Sequence, residues 1–167
     1  VVHLGCVVND ISKIQKICKI KKIYLIEDCA HTPCAQFNGK SVGSFGDFGI
    51  FSFQQSKLIS SGEGGFITIK KKENYQRCLS IVDCGRKYKH PHQVLGTNLR
   101  ITDYQAILLN YKFSKFIRKI KKINNNINFL NTKLNKFNEI NVLKFNKKYN
   151  LKSTYYFPFQ LSDSFLK

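Results

Sequence analysis

The chain has 167 residues, of which 43% are hydrophobic and 23% are charged. This length corresponds to about one domain and suffices to bury a hydrophobic core, and the composition is that of a globular protein. No apolar run approaches the roughly 20 residues that a membrane helix requires, and the first residues lack the features of a signal peptide. We therefore expect a cytoplasmic protein that does not enter a membrane, and the missing initiator Met indicates a partial chain.

The formal net charge is +18, from 28 Lys and Arg against 10 Asp and Glu. One interpretation is a basic domain that binds nucleic acid, for which salt-sensitive binding is expected. The other is a biased composition, because Lys, Asn and Ile are abundant throughout the chain and Arg, which often reads bases, is rare. We favour the second interpretation and expect no nucleic-acid partner, while a basic nucleic-acid-binding domain stays an alternative.

The six cysteines are not spaced as a zinc site. None forms a C-x-x-C pair, and no histidine spacing completes a zinc-binding pattern. Without a secretory signal, reduced and mostly buried thiols are expected, and no metal is predicted. The cysteines are Cys6, Cys18, Cys29, Cys34, Cys78 and Cys84.

The first predicted elements form half of a parallel α/β unit. Residues Ile11–Lys22 place isoleucines on one face and lysines opposite, which predicts an amphipathic helix. The short apolar run Ile23–Ile26 predicts a strand that ends just before Glu27 and Asp28. Because this run does not alternate, helices are expected on both faces of its sheet.

Two more strands and a helix are predicted next. Phe48–Phe53 and Phe66–Ile69 are typical of strands, and the glycine-rich turn Ser60–Gly65 lies between them. The apolar spacing of Lys72–Asp83 predicts a helix. A loop rich in Gly, His and Pro follows at Cys84–Thr97.

The rest of the chain is predicted to be mostly helical. Thr102 can cap a helix that runs through the following residues, and apolar residues recur at helical spacing from Ile120 to Phe137. Asn is frequent from Asn124 onward and is a mediocre helix former, so tertiary packing must hold this part. The tail Ser153–Leu161 is typical of a strand that starts a new unit.

Side chains that could form a site follow the predicted strands, where open α/β sheets bind ligands. Asp28 follows the first strand, while Ser52 and Lys57 lie at and after the second. The sequence lacks the phosphate-binding pattern G-x-x-x-x-G-K-[ST], and the GEGG loop lacks the third glycine of a dinucleotide site. A lysine on a glycine-lined loop can instead form a Schiff base with pyridoxal phosphate (PLP). PLP also needs an acid for its ring nitrogen and donors for its phosphate.

Two stretches of the chain carry an ordered set of short motifs. EDCAHTPCAQFNGKSVGSFGDFGIFSFQQSKLISSGEGGFI contains E-D-x-A-[QH], F-S-F-x-x-x-K and G-E-G-G, and its GKSVGSFGD is close to G-x-x-G-x-x-G-D, with one more residue between the first two glycines. LGTNLRITDYQAILL fits L-G-x-N-x-R-x-[ST]-x-x-Q-A. This combination resembles the sugar aminotransferases of the DegT/DnrJ/EryC1/StrS family, which are PLP enzymes of the aspartate aminotransferase fold type I. The resemblance is strong from residue 1 to Ala106 and weak beyond it.

The resemblance implies roles for five residues. Lys57 would form the Schiff base with PLP and then move a proton between the amino acid and the cofactor. Asp28 would pair with the pyridine nitrogen, His31 would lie near the ring and its 3′-oxygen, and Ser52 would donate to the phosphate. Asn98 would reach the phosphate of a neighbouring subunit's cofactor, which implies a homodimer.

The resemblance also implies a fold and a function. Residues 1–120 would be part of the large PLP-binding α/β domain, and residues 121–167 a linking helix and the start of a truncated small C-terminal domain. The reaction would transfer an amino group from glutamate or glutamine to a keto sugar, in particular a nucleotide-linked one, or to a keto-cyclitol. The product would serve surface polysaccharide or secondary-metabolite synthesis. His90 and His92 would lie in a loop over the site, without an assigned role.

The family's members are more than twice as long as this chain. The turn that holds the cofactor phosphate and the aromatic ring that stacks on the cofactor would therefore lie before the first residue. An inactive fragment or a degenerate relative of the family stays an alternative for this reason. A related dehydratase, which has histidine in place of the lysine, is disfavoured by Lys57.

Overall fold

A computed structural model describes residues 1–5, 7–86, 94–142, 148–151, 153 and 155–163. His90 and His92, expected in a loop over the site, lie outside the described residues. The described elements are α1 (Ile11–Lys21), β1 (Ile26–Asp28), β2 (Gln36–Phe37), β3 (Lys40–Ser41), β4 (Phe48–Ser52), β5 (Gly65–Ile69), α2 (Lys72–Val82), α3 (Asp103–Leu134), β6 (Ile140–Val142), β7 (Tyr149–Leu151) and β8 (Phe159–Leu161).

The central sheet holds three strands in the order β1-β4-β5 and is mixed. β1 runs parallel to β4, with Asp28 opposite Ile50, and β4 runs antiparallel to β5, with Ser52 opposite Gly65. Since side chains alternate along a strand, this register places Asp28 and Ser52 on the same face, at the carboxyl ends of two parallel strands. Open α/β sheets bind ligands at this edge.

The first strand begins at Ile26, later than the sequence pattern predicts. The Ile23 N–H bonds back to the Cys18 carbonyl as helix α1 ends, at 3.0 Å. The Leu25 N–H donates to the Asp47 carboxylate at 2.9 Å. The predicted strand Ile23–Ile26 was therefore wrong in position, because the helix end and an aspartate use the backbone groups of its first residues.

Two clusters of buried apolar side chains hold the sheet and the helices together. The first joins α1 to the sheet and to the loops around β2 and β3, and the second joins the loop after β4 to α3. Lys57 lies between two members of the second cluster, Phe53 and Ile59, so its loop is fixed on both sides. The first cluster is Val8, Ile11, Leu25, Cys29, Ala35, Phe37, Val42, Phe45 and Tyr149, and the second is Phe53, Ile59, Leu109, Phe116 and Ile120.

Helix α3 runs without a break for 32 residues. At its start the Thr102 hydroxyl accepts from the Gln105 N–H, and the Gln105 side chain accepts from the Thr102 N–H. This reciprocal arrangement is a capping box, which confirms the predicted cap at Thr102. The asparagine-rich second half stays helical because Ile120 and Ile127 are buried, since packing supplies most of a helix's stability in proteins.

The tail contains a shorter strand than predicted, Phe159–Leu161 rather than Ser153–Leu161. The Tyr155 N–H donates to the Gly5 carbonyl at 3.2 Å, so the residues before this strand turn back to the start of the chain. Within the described ranges, no helix is both long enough and apolar enough to cross a membrane.

Candidate active site

Asp28 closes strand β1 and is hydrogen-bonded through both its backbone and its side chain. Its N–H donates to the Val1 carbonyl at 2.8 Å, and its carbonyl accepts from the His3 N–H at 3.0 Å. Its carboxylate Oδ1 accepts from the Ala30 N–H at 3.0 Å. The half-buried carboxylate is thus held at the end of the strand.

Glu27, the residue before Asp28, points to the opposite face and is fully buried. Its carboxylate accepts from three backbone N–H groups, those of Gly43, Phe45 and Gly46, at 2.7 to 2.9 Å, and lies 3.3 Å from His3 Nε2. Burial alone would raise the pKa of Glu27, but the hydrogen bonds from His3 and the three N–H groups outweigh it, and the pKa is lowered. An ionised carboxylate therefore holds this glycine-rich loop against β1.

The glycine spacing of this loop follows from close backbone contacts. A Cβ atom on Gly46 would lie 2.5 Å from the Leu25 carbonyl oxygen, and one on Gly49 would lie 2.4 Å from the Gly43 carbonyl oxygen. Both distances are far inside van der Waals contact with backbone atoms that cannot move aside. Larger residues at these two positions would push the loop away from β1 and β4, which accounts for glycine at both.

Lys57 lies in a loop that closes on the end of strand β4. The Phe53 N–H donates to the Gly64 carbonyl at 2.9 Å, and the Ser61 N–H donates to the Phe53 carbonyl at 3.0 Å. Lys57 Nζ lies 5.3 Å from the centre of the Tyr155 ring, within cation–π range. Among the described residues, no carboxylate lies within ion-pair distance of this amine.

His31 lies close enough to Lys57 and Asp28 for their charges to shift its pKa. Its Nδ1 accepts from the Gly5 N–H at 3.1 Å, so the neutral ring carries its proton on Nε2. Burial lowers the pKa of His31 below its usual range, the positive charge of Lys57 lowers it further, and the Asp28 carboxylate opposes these effects. The imidazole is therefore neutral at physiological pH, and both Lys57 and Asp28 are close enough to act on its charge.

Ser52 and Asn98 differ in their relation to this group. Ser52 shares the sheet face of Asp28, and its Oγ accepts a long hydrogen bond of 3.4 Å from the Gln54 N–H. Asn98 is exposed on another segment, where it pairs with Asp83 in an isolated bridge and its Oδ1 accepts from a neighbouring N–H. The structure thus brings together Asp28, His31, Ser52 and Lys57 at one edge of the sheet and leaves Asn98 apart from them.

Tyr155 is a site residue that the sequence pattern did not reveal. Its ring stacks on the His31 ring, with centres 4.4 Å apart and planes at 11°, and it also lies 5.3 Å from Lys57 Nζ. Tyr156 meets the same histidine edge-on at 6.0 Å. These contacts join the tail to a residue more than a hundred positions earlier, so no local periodicity could predict them.

His3, Glu27 and Cys29 place possible metal-ligand atoms within 4.8 Å of one another, but hydrogen bonds account for all three. His3 Nδ1 accepts from the Asn9 N–H at 3.3 Å, so Nε2 carries the proton that faces Glu27. The Cys29 thiol donates to the Glu27 carbonyl, and burial raises its pKa far above the usual range. A metal requires a thiolate and an imidazole lone pair, which this arrangement does not offer.

Comparison with known proteins identifies relatives of this chain. A sequence model described as the DegT/DnrJ/EryC1/StrS aminotransferase family matches residues 1–166. A protein of Micromonospora echinospora, named as an L-glutamine:3-amino-2,3-dideoxy-scyllo-inosose aminotransferase, is 42% identical over 65% of this chain and 27% of its own length. The GDP-perosamine synthase of Escherichia coli O157:H7 is 38% identical over 64% of this chain and 30% of its own length.

The fold has solved counterparts. The crystal structure of 3-amino-5-hydroxybenzoic acid synthase is 25% identical, superposes with a TM-score of 0.84, and is matched over 92% of this chain and 41% of its own. This match confirms the fold class expected from the motifs, part of the large domain of a fold type I aminotransferase. The chain spans less than half the length of these relatives. It belongs to the DegT/DnrJ/EryC1/StrS aminotransferase family.

Proposed function

We propose that the protein is a PLP-dependent aminotransferase that moves an amino group from glutamine or glutamate to a ketone. The acceptor is a keto sugar, in particular a nucleotide-linked one, or a keto-cyclitol, and the product serves surface polysaccharide or secondary-metabolite synthesis in the cytoplasm. The observation that carries the proposal is the position of the Lys57 amine, which lies near neutral His31, as Asp28 does, so that both charges act on the histidine pKa. Among the described residues, this amine forms no ion pair with a carboxylate.

The donor set fits the three reactive parts of PLP. Lys57 offers an amine for the aldehyde, Asp28 offers a carboxylate for the protonated ring nitrogen, and Ser52 offers a hydroxyl for the phosphate. The carboxylate and the hydroxyl lie on one sheet face at the ends of parallel strands. His31 stacks flat on the Tyr155 ring, which is the kind of contact that an imidazole also makes with a flat aromatic ligand.

The residues divide the proton chemistry among them. When bound, PLP withdraws electrons from the α-carbon of an attached amino acid and so makes its proton removable. The Lys57 amine takes up and returns that proton, for which it must be neutral. Neutral His31 adds no positive charge beside it, and Asp28 holds a proton on the ring nitrogen by charge pairing.

Two further parts of the proposal concern partners. The exposure of Asn98 supports its assignment to a neighbouring subunit's site in a homodimer, because its side chain is open to contact from outside. The names of the two relatives above support glutamine as donor and nucleotide-linked sugars or cyclitols as acceptors. Neither of these two names supports the alternative of a nucleic-acid-binding domain.

A half-reaction tests the proposed function. The protein is loaded with PLP, mixed with L-glutamine or L-glutamate, and the cofactor is analysed by chromatography. We expect PLP to become pyridoxamine phosphate with release of one equivalent of 2-oxo acid, and the Lys57→Ala variant to be slower by at least about 100-fold. A matched Lys121→Ala variant, changed on the exposed surface of α3, should react as the parent does. Absence of conversion, or equal rates in Lys57→Ala and the parent, would contradict the proposal.

A further inference from the structure

The tail of the chain is fixed to the core and to the start of the chain where it reaches the candidate site. The fully buried Ser153 donates its N–H to the Tyr149 hydroxyl at 3.0 Å, and Tyr149 belongs to the first core cluster. Two residues later, the Tyr155 N–H donates to the Gly5 carbonyl at 3.2 Å. The backbone that carries the Tyr155 ring is therefore held at two points.

Gly5 connects this tail to His31 through its backbone. Its carbonyl accepts from the Tyr155 N–H, and its own N–H donates to His31 Nδ1 at 3.1 Å. Gly5 has a φ of +66°, and a Cβ atom there would lie 3.2 Å from the Tyr156 ring. Only glycine adopts such a conformation without steric cost, so the two backbone groups of Gly5 can bind both partners at once.

The Tyr155 ring contacts the two residues to which the proposed function gives proton chemistry. It stacks on the His31 imidazole, with centres 4.4 Å apart, and lies 5.3 Å from Lys57 Nζ. Tyr156 packs edge-on against the same ring, with centres 4.5 Å apart and planes at 79°. Stacked and edge-to-face contacts between aromatic rings are both favourable, so these contacts fix the orientation of the Tyr155 ring.

These contacts are not those of a tyrosine that only fills space in a core. Tyr155 is half-buried, and among the described residues neither core cluster includes it. The face of an aromatic ring attracts an ammonium group electrostatically and takes no proton from it. The Lys57 amine is thus kept near His31 without an ion pair that must break before the amine reacts.

We propose that Tyr155 is a positioning residue for the reaction of Lys57, because its ring fixes the plane of the His31 imidazole and holds the free Lys57 amine beside it. This inference rests on the proposed function and adds to it a residue from the tail. Tyr155 forms and breaks no bond in the reaction and acts through His31 and Lys57. Without the ring, the imidazole and the amine would both sample more orientations, and a smaller fraction of them would have the reactive geometry.

NMR spectroscopy of the cofactor-free protein with labelled histidine tests the stacking. An aromatic ring shifts the ring protons of a stacked neighbour upfield, and the nitrogen shifts report which nitrogen carries the proton. We expect His31 of the parent to show the upfield shift and a proton on Nε2, and Tyr155→Phe to keep both. Tyr155→Leu should lose the upfield shift. The control Tyr75→Leu, which removes a half-exposed tyrosine from α2, should keep it.

The glutamine half-reaction of the loaded protein tests the consequence for the chemistry. We expect kcat of Tyr155→Leu to fall at least about tenfold, because small displacements of a reacting group are costly. Its KM for glutamine should change less than about threefold, since the ring positions Lys57 and does not bind the donor. Tyr155→Phe and Tyr75→Leu should both stay within about threefold of the parent in kcat.

Three results would overturn the inference. Unchanged His31 signals in Tyr155→Leu would mean that the ring does not fix the imidazole, and an unchanged kcat in that variant would mean that the amine needs no positioning by the ring. A Tyr155→Phe variant as slow as Tyr155→Leu would assign the role to the hydroxyl. The NMR measurement needs neither cofactor nor turnover. Absence of glutamine conversion in the parent would therefore count against the proposed function, whereas equal His31 signals in all variants would count against the role of Tyr155.

Discussion

Lys57 differs from the exposed lysines of this chain in its neighbours. An exposed lysine is surrounded by solvent, whereas Lys57 faces the Tyr155 ring and lies near the His31 imidazole, whose pKa the positive charge of Lys57 helps to lower. The same contacts give Tyr155 a role in setting the surroundings of the amine.

Glu27 is the residue that holds the glycine-rich loop against β1, next to Asp28. The Glu27→Gln substitution replaces one acceptor oxygen by a donor amide that faces backbone N–H groups. We expect the free energy of unfolding to fall by about 2 to 4 kcal/mol, measured by urea denaturation at pH 7. Glu73→Gln is the matched control, because Glu73 is exposed and its contact with Lys71 is 3.8 Å long, so its effect should stay within about 0.5 kcal/mol.

The pH dependence of stability gives the sign of the Glu27 contribution. Its pKa in the folded protein lies below the ordinary value of 4.5, so its contribution is complete above about that pH. The contribution is lost as the pH falls through the folded pKa, where the carboxylate takes up a proton. The stability of Glu27→Gln should therefore fall less steeply than that of the parent below pH 4.5, and parallel curves would contradict the assigned role.

At the scale of the element, helix α3 depends on its first residue. Thr102→Ala removes one half of the capping box and should reduce stability by about 1 kcal/mol. Thr132→Ala is the control on the same helix, since that hydroxyl donates to the Asn128 carbonyl one turn back and caps no helix end. The control should be neutral or slightly stabilising, because alanine is the better helix former. Stability is measured by thermal denaturation, and equal losses of stability in the two variants would show that the cap has no special role.

Elements defined by local signals were predictable. The predicted limits of α1, β4, β5 and α2 lie within one residue of those observed, because helical periodicity, β-branched and aromatic runs and turn glycines act over short distances. The position of β1 was not predictable, since the Asp47 side chain that binds the Leu25 N–H comes from 22 residues away. The tail strand is shorter than predicted for a similar reason, because the Tyr155 N–H bonds to the carbonyl of Gly5, which is distant in the sequence.

The candidate site was predictable to the extent that sheet topology determines it. The order of Asp28, Ser52 and Lys57 after two parallel strands follows from the sequence, and the register puts the first two on one face. The stacking of Tyr155 on His31 depends on the packing of distant segments, which no motif encodes. The catalytic and binding roles of all five predicted residues stay predictions.

At the scale of the whole molecule, α3 connects the two predicted units. It runs across the expected boundary after residue 120 without a break, with Ile120 in the core cluster beside the Lys57 loop and Ile127 buried further along. The division into residues 1–120 and 121–167 stays a prediction. Part of the net charge of +18 lies on the lysines of α3.

The central claim is that Lys57 is the lysine that bonds to PLP. The most direct measurement adds PLP below one equivalent to the protein, reduces the mixture with borohydride, and maps the pyridoxyl group by mass spectrometry of peptides. The account predicts that the label is concentrated on Lys57 and that Lys57→Arg loses it. A label spread over the exposed lysines in proportion to their number, or one retained in Lys57→Arg, would contradict the account.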